Sequence, residues 1–215
     1  MQTKWLDGRS LSQAMQQEFD WVSRKESSGE LHRMPPAGQL FHAIKRNDIQ
    51  AAETVLRNGF VPRDYWIGGK SFLRIAGEQN KRAICEALVR YGAEPDEANG
   101  KRNYSLLHNA VASGNYGFAS ILLDLGANPS SLTSNNATPL HFAARSGLEY
   151  FARKLIEFGA DVNAQDTLGR SPLLLAFQEA HVGVAKLIAT HHGDPHLLDK
   201  SGLSPQMVAE QKGLT

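Results

Sequence analysis

Long hydrophobic runs are missing from this chain: no stretch reaches the roughly 18 apolar residues of a membrane span. The amino terminus, MQTKWLDGRSLSQAMQQEFDW, also lacks the uninterrupted apolar segment of a signal peptide. A cytoplasmic location is therefore expected, with a periplasmic or secreted one following if a leader has been removed. Cysteine is almost absent. The single Cys85 excludes an intramolecular disulfide and any multi-cysteine zinc site, which fits a reducing compartment. Its place on the apolar side of a helix reads as a buried structural thiol. An excess of charge of one sign is lacking too. With 23 Lys+Arg against 22 Asp+Glu the net charge is +1, which argues against a uniformly basic nucleic-acid module and leaves open charge segregated onto one face. At 41% hydrophobic and 21% charged residues the 215-residue chain can fold and bury a core without staples.

What the chain does have is a period. Alanines stand at Ala43, Ala76, Ala110, Ala143, Ala176 and Ala209, with gaps of 33, 34, 33, 33 and 33. Leu40, Leu73, Leu107, Leu140 and Leu173 precede the first five of these alanines by three positions. Gly59, Gly92, Gly126 and Gly159 keep the same register. Each unit has a physical reading. Ser71, Ser105, Thr138, Ser171 and Ser204 are helix N-caps, because a side-chain oxygen can accept from the free N–H groups of the first turn. Pro139, Pro172 and Pro205 follow three of them, at the helical position that tolerates a missing N–H. A short first helix ends near a small residue such as Gly114 or Gly147. A second helix then runs to the Gly-Ala pairs, whose glycines suit a left-handed C-cap. A helix pair this short buries its apolar face only by stacking on its neighbours.

The segments TPLHFAARSG (138–147) and LIEFGADVNAQDTLGR (155–170) resemble the ankyrin repeat, and SLLHNAVASG (105–114) with LLDLGANPSS (122–131) is close behind. The resemblance covers about residues 37–215. It implies an all-α fold: a solenoid of stacked helix-turn-helix units over 37–215, about five repeats plus a half-repeat C-cap, with an N-terminal extension over 1–36. In that extension Ser10 and Gln13 suggest a capping box, and Leu11, Met15, Phe19 and Val22 form one apolar stripe, so an amphipathic helix is expected over 10–24. Its plain role is to cover the open end of the solenoid; recruitment of a partner is the alternative. Three departures stand out. The first unit has Gly38 and Gln39 in place of a hydroxyl cap, the third gains one residue between Pro95 and Arg102, and His192 replaces the expected glycine of the fifth, where a distorted helix end is expected.

Catalytic signals are weak. The segment GGKS (68–71) has the end of a phosphate-binding loop but Asp64 where its first glycine belongs. His108 and His141 match the family's own histidine, which implies a structural role within and between loops. His191, His192 and His196 with Asp194 have the only metal-like density, but no helical spacing that would aim them at one ion. No catalytic residues, metal site or cofactor are assigned; a metal-binding or enzymatic role around His191–His196 is the alternative of another class.

Family members generally bind proteins through loop tips and the exposed side of the first helices. Carried over position by position, the resemblance implies a partner-binding set of Lys45, Arg46, Trp66, Ile67, Lys70, Lys101, Arg102, Tyr104, Arg145, Leu168 and Arg170. With Lys200, eight residues of this surface are basic, so a neutral protein is expected to present a basic face to an acidic partner surface or an active-site recess. Trp66 reads either as an interface anchor or as a ring folded back over Phe60. The expected function is non-catalytic protein–protein interaction, inhibiting or sequestering a partner enzyme in the manner of an immunity or self-protection inhibitor. An adaptor or host-directed bacterial effector fragment is the alternative. No nucleic acid or membrane is expected as a partner, and the free protein is expected to be a monomer.

Overall fold

The computed structural model describes residues 35–214; the expected helix over 10–24 lies outside the described residues. These residues belong to two compact units, one ending at Glu94 and one beginning at Pro95. The first contains α1 (Pro36–Arg46), α2 (Ile49–Arg57), a 3-10 turn (Pro62–Asp64), β1 (Trp66–Ile67), β2 (Lys70–Ser71), α3 (Phe72–Glu78) and α4 (Arg82–Arg90). The second contains β3 (Ala98–Asn99), β4 (Tyr104–Ser105), α5 (Leu106–Ala112), α6 (Tyr116–Asp124), α7 (Pro139–Arg145), α8 (Glu149–Glu157), α9 (Pro172–Gln178), α10 (Val182–Thr190) and α11 (Pro205–Gln211). The class is all-α, and the described residues add two antiparallel hairpins of two-residue strands at the tips.

Every expected cap is in place. Ser71, Ser105, Thr138, Ser171 and Ser204 each occupy the N-cap of a first helix. Such a cap stabilises a helix by about 1 kcal/mol. The first unit starts instead with Pro35 and Pro36, without a side-chain cap, and its helix is longer, at 11 residues. All six marker alanines are buried, which lets the helices of a pair approach closely. They also share a backbone role. The carbonyls of Ala43, Ala76, Ala110, Ala143, Ala176 and Ala209 each accept from the N–H five residues on, at 2.8–3.1 Å. That bond closes a Schellman motif and satisfies a carbonyl that the helix end would otherwise leave open.

Within the unit up to Glu94, α1 packs on α2 and α3, and α4 on α2 and α3. Within the unit from Pro95, α5, α7, α9 and α11 form an inner row, each packed on the next, while α6, α8 and α10 form the outer row. The core of this stack is made by Leu107, Phe118, Leu122, Leu140, Phe151, Leu173 and Ile188, all nearly inaccessible to water. Cys85 is fully buried in α4, where desolvation pushes its thiol up to about 12, so it is an inert packing group.

Two departures resolve in physical terms. The β1–β2 hairpin pairs Ile67 with Lys70, leaving Gly68 and Gly69 as its loop. The β3–β4 hairpin pairs residue 99 with Tyr104, so its loop is the longer 100–103, where the third unit's extra length is absorbed. The expected distortion after α10 does not occur. His192 adopts the left-handed conformation itself, at φ +68°, and Gly193 N–H donates to the Ile188 carbonyl at 3.0 Å, just as Ala160 N–H donates to that of Leu155 at 2.9 Å. Gly193 is held at that place because a Cβ would stand 2.6 Å from the Ile188 side chain.

Candidate functional site

The loop tips of the unit from Pro95 are stitched together by the backbone. Ser134 N–H donates to the Arg102 carbonyl at 3.0 Å, Thr167 N–H to that of Asn135 at 2.9 Å, and Lys200 N–H to that of Leu168 at 2.9 Å. The bonds recur every 33 residues or so because each loop repeats the last, which sets the tips in a row. Within each loop a side chain closes the turn. Asp166 Oδ1 accepts from Leu168 and Arg170 N–H at 2.9 and 3.0 Å, and Asp199 Oδ1 accepts from Ser201 and Leu203 N–H at 2.8 and 2.9 Å.

Beneath the tips, two buried histidines tie each loop to the helix before it. The His141 ring accepts at Nδ1 from Thr138 N–H at 3.1 Å, with the Thr138 hydroxyl 2.8 Å away, and Nε2–H donates to the Arg170 carbonyl at 2.9 Å. His108 repeats the arrangement with Ser105 and donates to the Ala137 carbonyl at 3.1 Å. One nitrogen accepts while the other donates, so both imidazoles are neutral. Burial pushes His108 down to about 4 and lowers His141 as well, against the raising effect of their carbonyl partners.

An open groove of about 530 Å³ lies along this row. Its tip side carries Arg102, Tyr104, Ser134, Asn135, Leu168 and Arg170, and its floor carries His141, Phe142, Arg145 and Ser146 of α7 and the start of the next turn, with Leu175 of α9. Tyr104 packs edge-on against Phe142 with ring centroids 5.4 Å apart and stacks on His108 at 5.9 Å. Five residues of the expected binding set thus come together here: Arg102, Tyr104, Arg145, Leu168 and Arg170. Lys101 is exposed on the neighbouring hairpin tip. Phe142, Ser134 and Leu175 belong to the groove but were not singled out by the sequence. Phe142 and Leu175 stand at the same repeat position, one residue after the histidine position, and that periodic apolar pair was the available signal.

The remaining members lie in the unit up to Glu94. Lys45 and Arg46 are exposed in the last turn of α1, with the Lys45 ammonium 5.4 Å from the Phe41 ring centre. Trp66 and Ile67 are half-buried in β1, and the ring that folds over Phe60 is that of Tyr65, 4.7 Å away. Lys70 is paired with Glu78 at 2.5 Å. The surface is therefore less uniformly basic than its composition implies. Lys70 and Arg170 are both engaged by the protein's own carboxylates, the second by Asp166 at 2.6 Å. Burial alone would raise the Asp166 carboxyl, but the Arg170 guanidinium and two backbone N–H groups outweigh it and hold Asp166 below the usual carboxylate range.

The His191–His196 segment does not converge. His191 Nδ1 lies 2.8 Å from the Leu187 carbonyl of its own helix, and Asp194 Oδ1 accepts from His196 N–H at 2.8 Å. Among the described residues, no group of three His, Cys, Asp or Glu side chains is placed to hold a metal ion. Nor is any described helix long and apolar enough to cross a membrane.

The profile of the family described as ankyrin repeats (3 copies) matches residues 73–166 and 107–199, together more than half of the chain. The chain belongs to the ankyrin-repeat family. Ankyrin repeats generally mediate protein–protein interaction. A 68-residue segment of the chain is 35% identical to part of the potassium channel AKT3 of Oryza sativa subsp. japonica. That match covers 32% of this chain and 8% of the channel.

Proposed function

We propose that this chain is a non-catalytic protein-binding module that engages its partner through loop tips and inner helices, and that the partner is an enzyme it inhibits or sequesters. The observation that carries the reading is the groove under the Arg102–Asn135–Leu168 tips, which joins exposed cationic and apolar side chains on a braced scaffold. Bracing matters because loops ordered in advance lose little entropy on binding. Trp66 and Ile67 extend the set with half-buried apolar groups that a partner can finish covering. The channel match concerns a small part of a much longer protein, as suits a repeat module used within proteins of different activities.

The test is capture of partners from the native organism on the full chain and on an Arg102→Glu/Leu168→Ala variant, with the activity of each captured protein assayed with and without the full chain. Loss of a specific partner on the variant, and suppression of its activity by the full chain, are the expected results. A partner captured equally by both proteins would overturn the assignment of the surface. Unchanged activity of a specifically captured enzyme would favour the adaptor alternative.

A further inference from the structure

The groove of the unit from Pro95 has a charge imbalance that the fold leaves unused. Three guanidinium-bearing residues line it, Arg102, Arg145 and Arg170, and a single carboxylate, Asp166. That carboxylate is buried, and both of its oxygens are occupied: Oδ1 by the backbone N–H groups of Leu168 and Arg170, Oδ2 by the Arg170 guanidinium at 2.6 and 2.9 Å. Arg102 and Arg145 are exposed, and among the described residues none forms an ion pair with either. The same groove is lined by apolar surface from half-buried Tyr104 and Phe142 and exposed Leu168.

We propose that this groove binds an extended acidic segment of a partner protein, its carboxylate side chains meeting Arg102 and Arg145 and an adjoining apolar side chain covering Tyr104, Phe142 and Leu168. The inference rests on the protein-binding reading above and adds the chemistry of the bound segment. Guanidinium groups favour carboxylates because their parallel N–H donors match both oxygens, and charge-assisted bonds of this kind are about twice as strong as neutral ones. The apolar surface of the groove excludes water and strengthens the attraction. A volume of about 530 Å³ is that of a site for several connected groups, not for a single ion. The backbone bonds from Ser134 to Arg102 and from Thr167 to Asn135, with the histidine ties below, set the walls before binding.

The experiment selects random short peptides displayed on phage against the immobilised full chain, then measures the selected peptides by fluorescence anisotropy. Peptides carrying Asp or Glu beside an aliphatic or aromatic residue are expected to be enriched. Their affinity is expected to fall about tenfold or more on the Arg102→Glu/Arg145→Glu variant and less on Arg102→Lys/Arg145→Lys. The same charge reversal on the outer helix, Arg153→Glu, is expected to leave affinity unchanged, and circular dichroism verifies the fold of each variant. Selected peptides without acidic enrichment, or acidic ones indifferent to the Arg102→Glu/Arg145→Glu change, would overturn the proposal while leaving the protein-binding reading intact. Displacement of the peptides by random single-stranded RNA, with a steep salt dependence, would overturn it as well. If no peptide is retained and native partners also fail to bind, both readings fall.

Discussion

Arg74 and His141 stand at the same repeat position, three residues after a capping hydroxyl, one in the unit up to Glu94 and the other in the unit from Pro95. Their behaviour differs. Arg74 turns to Glu78 at 2.9 Å on its own helix, an ion pair that keeps part of its contact with solvent. His141 turns inward, holds its own N-cap and reaches the Arg170 carbonyl of the next loop. The cause is the cost of burial: a permanently charged guanidinium cannot leave water without a partner, whereas a neutral imidazole can be buried once both nitrogens are bonded. In the unit up to Glu94 an ammonium fastens one repeat to the next, since Lys81 donates to the carbonyls of Ile44 and Lys45 at the end of α1. The unit in which buried imidazoles reach the carbonyl of the next loop is also the one whose tips carry the groove, so it presents the better-braced surface.

The largest effect that can break this comparison is the loss of an imidazole. His141→Ala is expected to destabilise the protein by about 3 kcal/mol, through lost packing and backbone groups left unpaired, with amide exchange accelerating over residues 166–171. Arg74→Ala should cost about 0.5 kcal/mol or less in the same urea titration. Equal effects would erase the distinction between the two positions.

Acid comes next. The His108 imidazole falls from an ordinary 6.5 to about 4 on folding, so between those values the unfolded chain takes up a proton that the folded chain refuses. Stability is therefore whole above pH 6.5 and lost as pH falls toward 4, by roughly 3 kcal/mol. His141, also lowered, adds in the same direction. Urea denaturation at stepped pH, followed by amide exchange, should show residues 105–145 loosening in this window before residues 36–90. The reverse order would contradict the role given to the imidazoles.

A smaller effect sharpens the comparison at the outer helix ends. His192 has the left-handed backbone that Gly92 has after α4, and only the histidine bears a Cβ there. His192→Gly should raise stability by about 1 kcal/mol, seen as a higher thermal midpoint, and Gly92→His should lower it by about as much. The smallest expected effect is at Glu78. Hydrogen bonds from Lys70 and Arg74 overcome the raising effect of desolvation and hold its carboxyl below the usual range, yet all three groups are partly solvated. Glu78→Gln should change stability by less than about 0.5 kcal/mol, and by less still in high salt.

Much of the fold was legible because its signals are local and repeated. Ser105 caps α5 and Thr138 caps α7 for the same reason, and a hydroxyl before an apolar turn carries that information without any distant contact. The marker alanines were legible as a period; that their carbonyls close each helix end was not. The candidate site was legible only in part. Its basic residues could be counted, but Lys70 meets Glu78 across eight residues and two elements, and Arg170 meets Asp166 inside a turn, so the charges left for a partner could not be separated from those already engaged. Phe142 was missed because its position is fully apolar in one repeat and polar in another: Ile75 is buried there, and Asn109 bonds to the Ser105 carbonyl.

The sequence by itself determined the repeat length, the helix starts and the buried face of each unit, since capping and helical periodicity act within a dozen residues. The tertiary structure alone decided which cations face a groove unpaired, which ring lies over Phe60, and how His192 ends its helix without distortion. Those outcomes depend on side chains that meet from separate loops and helices, and on whether burial leaves each polar group a partner.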